Sequence, residues 1–148
     1  MYRIIDAQLK QPQFASFTEF AQAVLSQDKK NSLQAVLSVS LKANSIGQAF
    51  AVGYRCALQA LLPELNSSQW VAMCVTEPQG NHPKQIQTQV TPDGLVSGQK
   101  SFVTMAELSQ QLIVIAKSGE TGERPILKAV LLQQPSQGVS LQVMEAMN

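Results

Sequence analysis

Histidine and cysteine are scarce in this chain. One histidine, His82, and two cysteines, Cys56 and Cys74, are too few for a multi-histidine metal site or a disulfide framework, so no metal is expected. Cys56 falls in a helical pattern and Cys74 in an apolar run, and both read as buried thiols. Charge is scarce as well: 14% of residues are charged, well below the usual share of about a quarter. With a net charge of +1, no basic run and 5% aromatics, a nucleic-acid partner is excluded, because phosphate binding needs clustered Lys and Arg. No stretch reaches the roughly 20 apolar residues that span a bilayer. The opening MYRIIDAQLKQPQF lacks the charged, apolar and small-residue regions of a signal peptide. A cytoplasmic location is the expectation.

What is present is enough apolar residue, 45% of 148, to bury a core. That length suits one domain, or one domain with a helical appendage. Residues 1–66 carry helical patterns. Ser16-Phe17-Thr18-Glu19 has the layout of a capping box, followed by Phe20, Ala21, Val24 and Leu25 on one face. A second helix is expected from about Ser32 to Leu41, interrupted near Asn44 and Ser45. A third uses Ile46, Phe50, Ala57, Leu58, Leu61 and Leu62 as its apolar positions and is ended by Pro63.

Residues 67–148 read as strands: Trp70–Thr76, Gln85–Thr91, Leu95–Thr104, Leu112–Lys117, Ile126–Gln133 and Val139–Met144. Turn residues separate them at Glu77-Pro78-Gln79-Gly80, Pro92-Asp93-Gly94, Gly119 to Gly122 and Pro135 to Gly138. Helices first and strands afterwards give an α+β fold with segregated layers, a short helical region followed by a run of strands. Two strand ends can bring Thr76, Phe102 and Thr104 together as hydroxyls beside a flat apolar ring, a chemistry suited to a planar heteroaromatic ligand. Phe102 can equally be a core residue, and Glu77, beside Pro78, reads as a solvated turn carboxylate.

Four segments in order resemble the middle domain of the acyl-CoA dehydrogenase family: CVTEPQG (Cys74 to Gly80), DGLVSGQKSFVT (Asp93 to Thr104), LIVIAKSG (Leu112 to Gly119) and QGVSLQ (Gln137 to Gln142). The resemblance covers residues 70 to 144 and implies that the short helical region is followed by an antiparallel β-barrel or sandwich, incomplete for want of the family's last barrel strands. It implies FAD as cofactor, with Cys74, Val75 and Thr76 meeting the flavin ring partly through backbone, and Phe102 and Thr104 flanking its reactive side. It implies a flavin-linked oxidoreductase of fatty acid metabolism acting on acyl-CoA thioesters.

The departures are specific. Where the family continues Thr-Glu-Pro-x-x with Gly-Ser-Asp, this chain has Asn81-His82-Pro83 after Gln79-Gly80. The position that meets cofactor or thioester groups is thus His82, the candidate substrate contact. The family's catalytic glutamate lies in a C-terminal helical bundle, and no glutamate here matches it by motif, so no catalytic residue is assigned. The expectation is a chain that is not catalytic alone, with a homo-oligomer or a separate chain supplying the bundle. The alternative is a non-enzymatic binding or oligomerisation module built on the same barrel, whose unpaired strand edge invites another chain.

Overall fold

A computed structural model describes residues 14–27 and 39–143. The chain divides into two compact units, Met1–Trp70 and Val71–Asn148. The first holds the helices and the second a five-stranded mixed sheet that forms an incomplete barrel, so the fold is α+β.

In the helical unit, α1 spans Phe17–Gln27. Its start is the expected capping box with one shift. Ser16 Oγ accepts the Glu19 amide at 3.1 Å, and Glu19 Oε2 accepts the amide of Ala15 at 2.8 Å rather than that of Ser16. Phe20, Ala21 and Val24 are buried, and the Phe20 ring meets Phe14 and Phe17 edge-on with centroids 5.3 and 6.0 Å away. The helix expected from Ser32 lies outside the described residues apart from its end, where Val39 and Ser40 are helical.

Helix α2 spans Ile46–Leu61, capped by Ser45, whose side chain accepts the Gln48 amide. Its buried face is not the expected one. Gln48, Ala51, Val52, Arg55, Leu58 and Gln59 point inward, while Ile46, Phe50 and Leu61 are exposed. The stripe has helical period, but three of its members are polar and so escape a reading based on apolar spacing. Arg55 is tolerated there because its guanidinium donates to the Ser67 carbonyl and lies 5.6 Å from the centroid of the buried Trp70 ring. The Trp70 indole N–H donates to the Ala21 carbonyl at 3.3 Å.

In the sheet unit, β4 (Gln111–Thr121) is the central strand. Along one edge it pairs antiparallel with β5 (Arg124–Gln133) from Gln111↔Gln133 to Thr121↔Arg124, with a bulge between Lys117 and Gly119. Its other edge therefore takes β1 (Val71–Cys74) in parallel at Gln111 to Val114, and then β2 (Gln89–Val90) at Lys117. β3 (Val96–Ser97) pairs antiparallel with β2. The two parallel pairings had no sign in the sequence. Ala72, Cys74, Leu112 and Val114 form a buried cluster on one face, joined by Val96, Val103, Leu132 and Val139.

The strand expected at Leu112–Lys117 is present as β4 and runs from Gln111 on to Thr121, and that expected at Ile126–Gln133 is present as β5, starting at Arg124. Those at Gln85–Thr91 and Leu95–Thr104 shrink to two residues each, and the described part of Val139–Met144 is not a strand. The cause lies in the stretch between β1 and β4, where side chains replace ladder bonds.

Candidate functional site

Past β1 the chain enters the Glu77–Gly80 turn, closed by reciprocal amide–carbonyl bonds of 2.9 Å between those two residues. Glu77 is not the solvated carboxylate expected at such a turn: it is 2% exposed. Its Oε1 accepts the Lys100 ammonium at 2.7 Å, the Thr88 hydroxyl at 2.6 Å and the Thr88 amide at 3.0 Å, and its Oε2 accepts the Gln87 amide at 2.6 Å. Burial pushes its pKa upward, but these donors outweigh it and hold the value down at about 2. The Gln87 and Thr88 amides thus bond to a carboxylate instead of a neighbouring strand. That keeps the alternation of buried Ile86 and Thr88 with exposed Gln85, Gln87 and Gln89 while removing the ladder.

Two joins bring the second segment beside the first. Lys100 Nζ also donates to the Val75 carbonyl at 3.2 Å, and the Ser101 amide donates to the Thr76 carbonyl at 2.8 Å. Gly98 lets this segment pass close to Thr88: a Cβ on it would lie 2.6 Å from the Thr88 backbone, and its φ is +156. Two residues beyond Lys100, Phe102 takes the left-handed conformation with φ +54 and leaves its ring 63% exposed. Met105 is also left-handed, with φ +66. Such values are uncommon for bulky residues and persist where the surroundings enforce them.

The structure therefore brings Val75 and Thr76 next to Lys100 and Ser101, with Phe102 directly following as an outward-facing ring rather than a core residue. Cys74 points into the buried cluster that includes Val103. Burial raises its thiol pKa to about 11, against a smaller lowering by the Lys100 charge, so it is a neutral thiol with only its backbone to offer. Thr104 is exposed in the turn before a short 3-10 helix, Ala106–Leu108. No hydrogen bond among the described residues occupies the hydroxyl of Thr76 or Thr104. His82 is exposed and caps the 3-10 turn Pro83–Gln85, its Nδ1 accepting the Lys84 amide at 3.2 Å.

The sequence reading missed Glu77, Thr88 and Lys100 as organising residues. The Glu77–Lys100 separation along the chain leaves no local signal. A polar Thr88 at an inward position of an alternating run was the one available hint. Among the described residues no group of three His, Cys, Asp or Glu side chains could hold a metal ion, and no helix is long and apolar enough to cross a membrane.

No family model matches this sequence, and no curated protein matches it. Among solved structures, the chain is similar to one described as the FAD complex of PigA, at 16% identity and a TM-score of 0.59, covering 83% of this chain and 41% of that one. It also matches a protein assigned as an acyl-CoA dehydrogenase from Mycobacterium smegmatis, at 18% identity and a TM-score of 0.45, covering 70% of this chain and 29% of that one. A third match is KijD3 in complex with FMN and a dTDP-linked amino sugar, at 16% identity and a TM-score of 0.38, covering 82% and 31%. This chain spans well under half the length of each. The likeness is one of fold, to a structure described as an FAD complex.

Proposed function

We propose that this chain carries the flavin-ring end of an acyl-CoA dehydrogenase-type site, with FAD as the flavin and an acyl-CoA thioester as the substrate class, within fatty acid metabolism in the cytoplasm. The observation that carries the reading is the exposed, left-handed Phe102 held beside the Val75–Thr76 backbone. The fit to a flavin is chemical: an open ring face for stacking and the hydroxyls of Thr76 and Thr104, which no described residue engages, as donors to ring heteroatoms. Cys74 and Val75 contribute through backbone, and His82 is the candidate substrate contact. Bound flavin supplies a two-electron acceptor for hydride from the thioester's β-carbon.

The chain's own residues bind and orient in this reading and do not abstract the α-proton. Glu77, the buried carboxylate among the described residues of the sheet unit, is saturated with donors and held near a pKa of 2, which suits no base. Residues 1–66 and 67–148 then form the helical and barrel parts of a larger assembly, completed by a homo-oligomer or by a separate helical chain. The test is direct. The purified protein should show flavin absorbance, or its unfolding midpoint should rise when FAD is added. A colourless protein whose midpoint ignores FAD overturns the reading.

One observation favours a second reading, a non-enzymatic oligomerisation module. β5 pairs with β4 on one side, and no other described strand takes its second edge. Ile126 and Leu131 on that strand are exposed. Such an edge recruits strands from other chains, and light scattering that reports a monomer would count against this reading.

A further inference from the structure

The edge proposed to meet the flavin is made by two segments that share no strand ladder. They are joined by the Ser101 amide on the Thr76 carbonyl and the Lys100 ammonium on the Val75 carbonyl. Lys100 depends in turn on Glu77, and both are closed from solvent, with side chains 9% and 2% exposed. Removing an ammonium and a carboxylate from water costs several kcal/mol per ion. A solvated turn would incur no such cost. What this pair gains is orientation: four donors fix the carboxylate, and the carboxylate fixes the ammonium that holds Val75. Phe102 follows two residues later with its ring turned out to solvent on a left-handed backbone. That conformation is disfavoured for a bulky residue, and hiding the ring would be the relaxed alternative.

We propose that the Glu77–Lys100 pair is the positioning device for Phe102. It clamps the Lys100–Phe102 segment onto Val75–Thr76 so that the ring is presented outward before any ligand arrives. The identity of the ligand rests on the flavin reading above; the presentation of the ring does not. A platform ordered in advance saves the ordering cost at the moment of binding, so ligand affinity is set partly by a pair that the ligand does not touch.

The experiment uses the full chain labelled with 4-fluorophenylalanine, with the Phe102 fluorine signal assigned by Phe102→Leu. Methyl signals of Val114 and Val130 report on the sheet, and the other phenylalanines report on the helical unit. Wild type is compared with Lys100→Met, with the double variant Glu77→Gln/Lys100→Met, and with Lys100→Arg. The double variant removes both charges together and so avoids leaving one ion buried alone. In Lys100→Met and in the double variant the Phe102 signal should leave the position of a solvent-exposed ring, with a smaller H2O/D2O isotope shift, while the methyl signals stay. Lys100→Arg, which keeps the charge, should retain most of the wild-type shift. An unmoved Phe102 signal in the double variant overturns the proposal. So does a joint collapse of all signals, which assigns the pair a general structural role. FAD is then titrated into each protein. The double variant should bind about tenfold more weakly, equivalent to about 1.4 kcal/mol, and equal affinity contradicts the coupling. If wild type does not bind FAD, the flavin reading fails while the fluorine signal still decides the positioning claim.

Discussion

The two halves of the sheet unit keep their shape by different means. β4 and β5 form a long antiparallel ladder in which each pair adds a small, similar share. The stretch from Val75 to Met105 has two strands of two residues each, and its order converges on one carboxylate. Order spread over a ladder resists any single change. Order concentrated in Glu77 does not, and it is in this stretch that Phe102 and Met105 depart from extended geometry into left-handed conformations.

The largest expected break in that contrast is Glu77→Ala. It strands the Lys100 ammonium in the interior and should cost about 4 kcal/mol, read by urea denaturation. Leu112→Ala, in the buried cluster on β4, should cost about 3 kcal/mol by loss of packing. It should leave hydrogen-exchange protection of the Ser101 amide unchanged relative to global stability. A Glu77→Ala cost smaller than that of Leu112→Ala would mean the ladder, not the carboxylate, dominates both halves.

Acid sharpens the same contrast. The Glu77 pKa is lowered from 4.5 in the reference state to about 2 in the fold. Because the folded value is the lower, its contribution is complete above about pH 4.5 and is lost as pH falls toward 2. The span corresponds to about 3 kcal/mol. Wild type should therefore lose its advantage over Glu77→Gln within that window, and parallel stability curves would contradict the assignment.

Smaller effects follow. Met105→Asn places a residue tolerant of left-handed backbone at that position and should gain about 0.5 kcal/mol. Glu120→Ala removes an exposed partner of Lys117 and should change stability by less than about 0.5 kcal/mol.

The ladder half was the legible half. β4 and β5 are apolar runs bounded by turn residues, and turn chemistry is local, as is the Ser16 cap. The other half was read as two full strands because Ile86, Thr88 and Val90 alternate with glutamines. Alternation reports which side chains face inward, and it cannot report whether the amides bond to a strand or to a carboxylate. In α2 the limit is the same in kind: Gln48, Arg55 and Gln59 are buried through specific polar partners, and spacing of apolar residues cannot reveal a polar inward face. Of the candidate site, strand ends lead to the expectation that Thr76, Phe102 and Thr104 meet, and the join in the structure is the Ser101 amide on the Thr76 carbonyl. The buried pair beside this join has no such local signal, since it links Glu77 to a lysine 23 residues away.

The claim at the centre of this account is that the outward ring of Phe102 is a flavin platform. Calorimetric titration of FAD into wild type and Phe102→Ala tests it most directly, since truncating an exposed ring should leave the fold intact. Saturable binding by wild type, weakened about tenfold or more in the variant, is the expected result. No heat of binding to wild type, or equal affinity in the two proteins, would contradict it.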